Sequence, residues 1–238
     1  MPLPKDAVTV TGGCNCGAIR YKIAIPPASE RPAHFAVSEN DRQEAPPCLP
    51  MVVVDHCNDC RRATSSILPS WILTPETMFT LSCLTKQDSP ATGYTINKSA
   101  LRTENMDKDD TWPDYTPGYD IMCGRDEDAR LKTWLCIYTS TEAQNSPYGA
   151  NSFRSFCGRC GTNVAYIVDP FPLPTTSRMI DVILGTTDRK WLENSALEPE
   201  RQLWWSCGVS WIQRLANGKL GPKHPYWNPL EQQFGESS

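Results

Sequence analysis

The chain has 238 residues and a formal net charge of −4, from 23 Lys and Arg against 27 Asp and Glu. That length supplies a core without disulfide staples, and the dispersed acidic balance excludes the clustered basic surface that nucleic-acid binding requires. No apolar run reaches membrane-spanning length and residues 1–17 lack the apolar stretch of a signal peptide, so a cytoplasmic, reducing setting with no membrane partner is expected.

In chain order, short runs of β-branched and aromatic residues between turn formers predict strands over 8–10, 18–25, 51–54, 70–73 and 78–84. Five more are predicted over 131–138, 152–156, 163–168, 179–185 and 202–206. No segment carries a long helical period; short helices are expected after Cys60, over 188–194 and over 210–216. The fold class is therefore mainly β, as a single domain over 1–238. Residues 26–50, rich in Pro and charge, and residues 85–130, with little periodicity, read as insertions. A structureless loop as long as the second is unusual in a compact domain, so it is expected to fold partly against the body as a lid.

Eleven cysteines in a reducing compartment read as metal ligands and free thiols. "GGCNCG" supplies Cys14 and Cys16, and "FCGRCG" supplies Cys157 and Cys160. Two local pairs brought together by a fold can complete the tetrahedron that zinc prefers. The flanking glycines let each turn fold back so that both thiolates face one ion. A structural zinc on Cys14, Cys16, Cys157 and Cys160 is expected, pinning an early hairpin to a late one. A redox role for Cys157 and Cys160 fits poorly, because the pair sits between predicted strands rather than opening a helix.

The middle stretch, "VDHCNDCRRA", carries Cys57 and Cys60 with Asp55 or His56 as a third donor. Three protein ligands with a fourth position open are the usual catalytic arrangement of zinc. On an extended strand residues 55 and 57 point one way and His56 the other, which favours Asp55. The alternatives are that Asp55 only forms the turn, and that both cysteines are free thiols.

Three motifs in this order, "GGCNCGAIRY", "DHCNDCRRATSS" and "SFRSFCGRCGT", resemble the glutathione-dependent formaldehyde-activating (GFA) enzymes, the CENP-V/GFA family. "LKTWLCIYTS", "MIDVILGTTD" and "EPERQLWW" extend the likeness to about half the chain, leaving 26–50 and 85–130 outside it. The resemblance implies an Mss4-like fold of stacked antiparallel sheets, a structural zinc on the outer cysteines and a second zinc at the middle motif. The family motif there begins with a cysteine, where this chain has Asp55. A carboxylate is a harder donor than a thiolate and leaves zinc more electrophilic, or weakens the site.

The activity implied is addition of glutathione thiolate to formaldehyde, a carbon–sulfur lyase-type reaction on a thiol–carbonyl adduct with glutathione as cosubstrate. Asp55, Cys57 and Cys60 would hold the catalytic zinc. Arg61 and Arg62 are candidates to clamp a substrate carboxylate, or are solvated surface residues. His56 and Asp59 are candidates to relay a proton, or are structural and solvent-facing. Trp71 walls the pocket or belongs to the core. A second reading keeps the zinc as a Lewis acid for dehydration, isomerisation or cyclisation of a larger small-molecule substrate, in a pocket shaped by Trp112, Tyr115 and Tyr119. A third is a zinc-stabilised, non-catalytic binding module; homo-oligomerisation is left open.

Overall fold

The computed structural model describes residues 3–34, 48–87, 114–140, 150–170, 178–193, 195–221 and 223. The chain is mainly β. A four-stranded sheet runs in the order β1 (Val8–Gly13), β2 (Ile19–Ile25), β5 (Phe79–Cys83) and β6 (Thr116–Pro117), all antiparallel. A seven-stranded sheet runs in the order β11 (Arg201–Leu203), β3 (Met51–Asp55), β4 (Ser70–Pro75), β10 (Met179–Ile183), β9 (Asn163–Asp169), β8 (Asn151–Cys157) and β7 (Leu135–Ser140). Its β11–β3 pair is parallel and its other pairs are antiparallel, so the predominantly antiparallel sheet is mixed at one edge.

Because side chains alternate between faces along a strand, β3, β4 and β10 of the larger sheet each serve two hydrophobic clusters. Val52, Ile72, Ile180, Val182, Ala165 and Ile167 face the cluster that also takes Val10, Ile19, Tyr21, Ile23, Phe79 and Leu81 from the smaller sheet. Their neighbours Met51, Val53, Trp71, Leu73 and Met179 face the opposite way and build a second cluster with Cys60 and Leu203. The second cluster is covered by α1 (Asn58–Thr64), and the candidate site lies on that face.

Several predicted boundaries shift. Residues 131 and 132 end α3 (Glu127–Lys132) rather than begin β7. The Asp126 carboxylate caps that helix by accepting from the Ala129 N–H at 2.9 Å, and acidic residues follow in its first turn. Leu184 leaves β10 for a single 3-10 turn, and Trp204 ends β11 with φ of 54°. Cys60 lies inside α1 rather than before it. The other short helices, α4 (Arg189–Leu192) and α5 (Ser210–Ala216), fall where expected. Of the second insertion, residues 114–130 form β6, α2 (Tyr119–Met122) and the start of α3, and Tyr119 and Met122 pack into the shared core; residues 88–113, on which most of the lid expectation falls, lie outside the described residues. Trp112 lies outside the described residues.

A buried ion pair joins the two sheets. Arg20 of β2 donates from Nη1 and Nη2 to both carboxylate oxygens of Asp188, at 2.8 and 2.6 Å, with each side chain at most 6% exposed. Asp188 lies just past β10, in the residue before α4. Burial alone pushes its carboxyl up, but the Arg20 and Thr11 hydrogen bonds and the Arg20 charge outweigh this and hold it below the ordinary carboxylate range. Asp188→Asn leaves the guanidinium without its counter-charge, and is expected to cost about 3–5 kcal/mol in urea unfolding at neutral pH. Because the folded-state value is depressed, this contribution is complete above the ordinary Asp value of 3.8 and is lost as pH falls through the lower folded value. The gap between wild type and Asp188→Asn should therefore narrow below that pH; a gap under about 1 kcal/mol at pH 7 contradicts the role given to the pair.

Candidate metal centres

Cys14 and Cys16 lie in the turn between β1 and β2, while Cys157 ends β8 and Cys160 lies in the turn to β9. Each turn closes on itself: the Gly17 N–H donates to Cys14 O at 3.0 Å, and the Gly161 N–H to Cys157 O at 2.8 Å. Both glycines have φ of 74°, a conformation side chains disfavour, so the sequence permits these turns where it places glycine.

The fold brings the four sulfurs within 4.8 Å of one another. Cys14 Sγ is 3.6 Å from Cys16 Sγ, which is 3.7 Å from Cys157 Sγ. Four sulfurs held tetrahedrally at about 2.3 Å from zinc are about 3.8 Å apart, so the spacing fits such an ion. Hydrogen bonding to Cys157 and then to Cys16 pushes the Cys14 thiol up, while the bonds from Cys14 and Cys157 pull Cys16 down to about 7. Thiols sharing protons in this way are readily replaced by thiolates on a dication. Thr162 adds a link that spacing does not reveal. Its Oγ1 accepts from the Asn15 N–H at 3.1 Å and lies 3.2 Å from Cys160 Sγ, bridging the two turns.

The second group is Asp55, Cys57 and Cys60, whose donor atoms also lie within 4.8 Å of one another. Among the described residues these two groups have the geometry to hold a metal ion such as zinc. None of the eleven cysteines is in a disulfide. Asp55 ends β3 and is buried; its Oδ1 accepts from the Cys57 N–H at 2.8 Å and its Oδ2 from Trp71 Nε1 at 3.2 Å. The carboxylate is thus aimed by two donors while keeping lone pairs for an ion. Burial pushes its carboxyl up. Cys57 is pulled down by its hydrogen bond with Cys60, and Cys60 is pushed up by the same bond and then by burial. The donor set, two sulfurs and one oxygen, is one that zinc accepts.

The same strand alternation turns His56 away. Its Nε2 lies 3.2 Å from Gln202 Oε1, and its ring meets Trp205 edge-on at 4.9 Å. The expectation that His56 relays a proton at the triad is therefore corrected: it buttresses β3 against β11. Asp59 and Arg62 are exposed on α1, and Arg61 is half-buried. The cation beside the triad is instead Arg154 of β8, whose Nη2 lies 3.8 Å from Cys60 Sγ.

Arg154 belongs to a row set by register. Arg154 pairs with Tyr166, Tyr166 with Asp181, and Asp181 with Leu73, across β8, β9, β10 and β4. The guanidinium lies over the Tyr166 ring at 4.5 Å, and that ring packs against Trp71. Burial, and after it the charge of Asp55, pushes the Asp181 carboxyl up to about 8.

A cavity of about 930 Å³ opens beside this row, between the second half of α1 and the sheet. Arg154 lines it, whereas Asp55, Cys57 and Cys60 do not; the triad adjoins the cavity through Arg154 and α1. Arg61, Arg62, Tyr115 and Tyr119 are not in its wall, where the aromatic residues are Tyr138 and Phe156. The expectation that Tyr115 and Tyr119 shape the pocket is corrected accordingly: Lys22 lies over the Tyr115 ring, and the Tyr119 hydroxyl donates to Asp169 at 2.9 Å. Among the described residues no helix is long and apolar enough to cross a membrane. Searches of known protein families and of curated proteins found no match to the chain.

Trp71→Phe keeps an aromatic side chain and removes the donor to Asp55 Oδ2. Losing such an outer partner is expected to weaken metal binding at the triad about 10–100-fold in chelator competition, with the four-cysteine group unchanged. Equal affinity in wild type and variant contradicts the orienting role of Trp71.

Proposed function

We propose that the chain is a zinc-dependent enzyme working at Asp55, Cys57 and Cys60, with Cys14, Cys16, Cys157 and Cys160 holding a structural zinc. The observation that carries this reading is a three-donor group, short of the four ligands of a closed site, set beside a guanidinium and a cavity of about 930 Å³. When bound, zinc at such a site supplies Lewis acidity for a carbonyl and favours the thiolate form of a coordinated thiol.

The reaction that fits is carbon–sulfur lyase chemistry on a thiol–carbonyl adduct, run in either direction, as the resemblance to the GFA enzymes implies. Asp55, Cys57 and Cys60 hold the ion, and Trp71 and the Cys57 N–H fix the carboxylate. Arg154 brings positive charge to Cys60 and to any anion developing beside it.

Glutathione is the thiol that the resemblance implies. A second reading keeps the zinc and changes the substrate to a larger organic molecule, and the cavity wall favours it. Glutathione carries an ammonium group as well as two carboxylates, and among the described residues no acidic one lines the cavity to meet the ammonium.

With glutathione and formaldehyde, the zinc-loaded protein is expected to consume formaldehyde only when both are present. Asp55→Ala and Cys57→Ser should lower that rate at least about 100-fold, as loss of a metal ligand does. Activity in neither case, with two zincs bound and lost by one in Asp55→Ala, selects the second reading. One zinc per wild-type chain, unchanged by Asp55→Ala, overturns the enzyme reading in favour of a binding module.

A further inference from the structure

Arg154 stands out because it lines the cavity and keeps a shielded N–H donor without a hydrogen-bond partner. A guanidinium offers five N–H donors in a planar fork. Here Nη2 makes a long contact of 3.8 Å to Cys60 Sγ, the plane rests on Tyr166, and Nη1 is shielded and without a hydrogen-bond partner. Buried donors left unpaired cost stability and are rare, so a native site that keeps one calls for a reason.

The cavity supplies that reason. Arg154 is its sole charged lining residue among those described. The rest of the wall is apolar, including Leu68, Pro69, Phe156, Ile183 and Leu192, or carries serine, threonine and asparagine side chains. One cation in a wall without acids selects one negative charge, and the apolar remainder selects an apolar body. A planar fork matches a carboxylate with two parallel hydrogen bonds.

We propose that Arg154 is the anion anchor of the site and that the substrate class is an organic monocarboxylate with an apolar body, seated in this cavity with its carboxylate toward the triad. The inference rests on the metal-enzyme reading only for the placement of the reacting end; the anchor itself needs no metal. Arg154 orders the substrate so that its charge lies within reach of the guanidinium and its functional carbon is presented past Cys60.

The test uses the full-length, zinc-loaded protein with 3-phenylpropanoate, 4-phenylbutanoate and indole-3-acetate, each beside its uncharged primary amide, in calorimetric titration. At least one acid should bind about 10–100-fold more tightly than its amide, the equivalent of a charge-assisted hydrogen bond. Arg154→Gln should erase that preference, and Arg154→Lys should restore part of it. Acid and amide binding alike, no acid binding, or a preference that survives in Arg154→Gln overturns the anchor. Zinc counted on the same samples separates the two ideas. Two zincs without an acid preference overturn the anchor alone. A preference that persists with a single zinc supports the anchor and overturns the metal-enzyme reading.

Discussion

The contact among four sulfurs is the constraint on which the rest depends. Cys14 and Cys16 belong to the turn of the small sheet, and Cys157 and Cys160 to the β8–β9 turn of the large one. Bringing these sulfurs within 4.8 Å closes a loop of more than a hundred residues and fixes where β8 and β9 lie against the first hairpin. An ion there would tie its binding free energy to folding. The β8–β9 register then places Arg154 opposite Tyr166, and the β9–β10 register places Tyr166 opposite Asp181. The candidate active site is thus partly assembled by a cluster on which it does not draw chemically.

At the triad the decisive quantity is charge balance. Asp55 and Cys60 are buried; burial pushes the Asp55 carboxyl up, and the hydrogen bond with Cys57, then burial, pushes the Cys60 thiol up. One guanidinium 3.8 Å from Cys60 Sγ offsets only part of the charge that three ionised donors would carry. A dication held by the three donors would complete the balance. The apolar cluster around Trp71, Leu73 and Met179 keeps the surroundings of low polarity, which strengthens each electrostatic contact. The same cluster lies on the face of the large sheet opposite the core shared with the small one, so the candidate metal centre and the main core occupy opposite faces of one sheet.

Local features were legible in the sequence and distant ones were not. Paired cysteines with glycine neighbours announce their turns, and period-two alternation separates Asp55 from His56 before any coordinates. Most strands follow from β-branched and aromatic runs, as β3 with its five buried residues illustrates. Arg154, Tyr166 and Asp181 left no such trace, because their meeting depends on the register of three strands. Arg154 and Cys60 are 94 positions apart. Spacing pointed to Arg61 and Arg62, the nearest arginines along the chain, whereas the fold supplied one from another strand. The helical ending of 127–132 was overlooked because "LKTWLCIY" reads as one run, although the Asp126 cap and the acidic first turn mark the helix.

The most direct measurement is cadmium-113 nuclear magnetic resonance of the protein with cadmium exchanged into its metal sites. Two resonances of equal intensity are predicted. One should lie at the low field of four-sulfur coordination, and the other well upfield, as two sulfurs with oxygen donors require; Asp55→Ala should move or remove only the second. A single four-sulfur resonance, unaltered by Asp55→Ala, would contradict a metal centre at Asp55, Cys57 and Cys60.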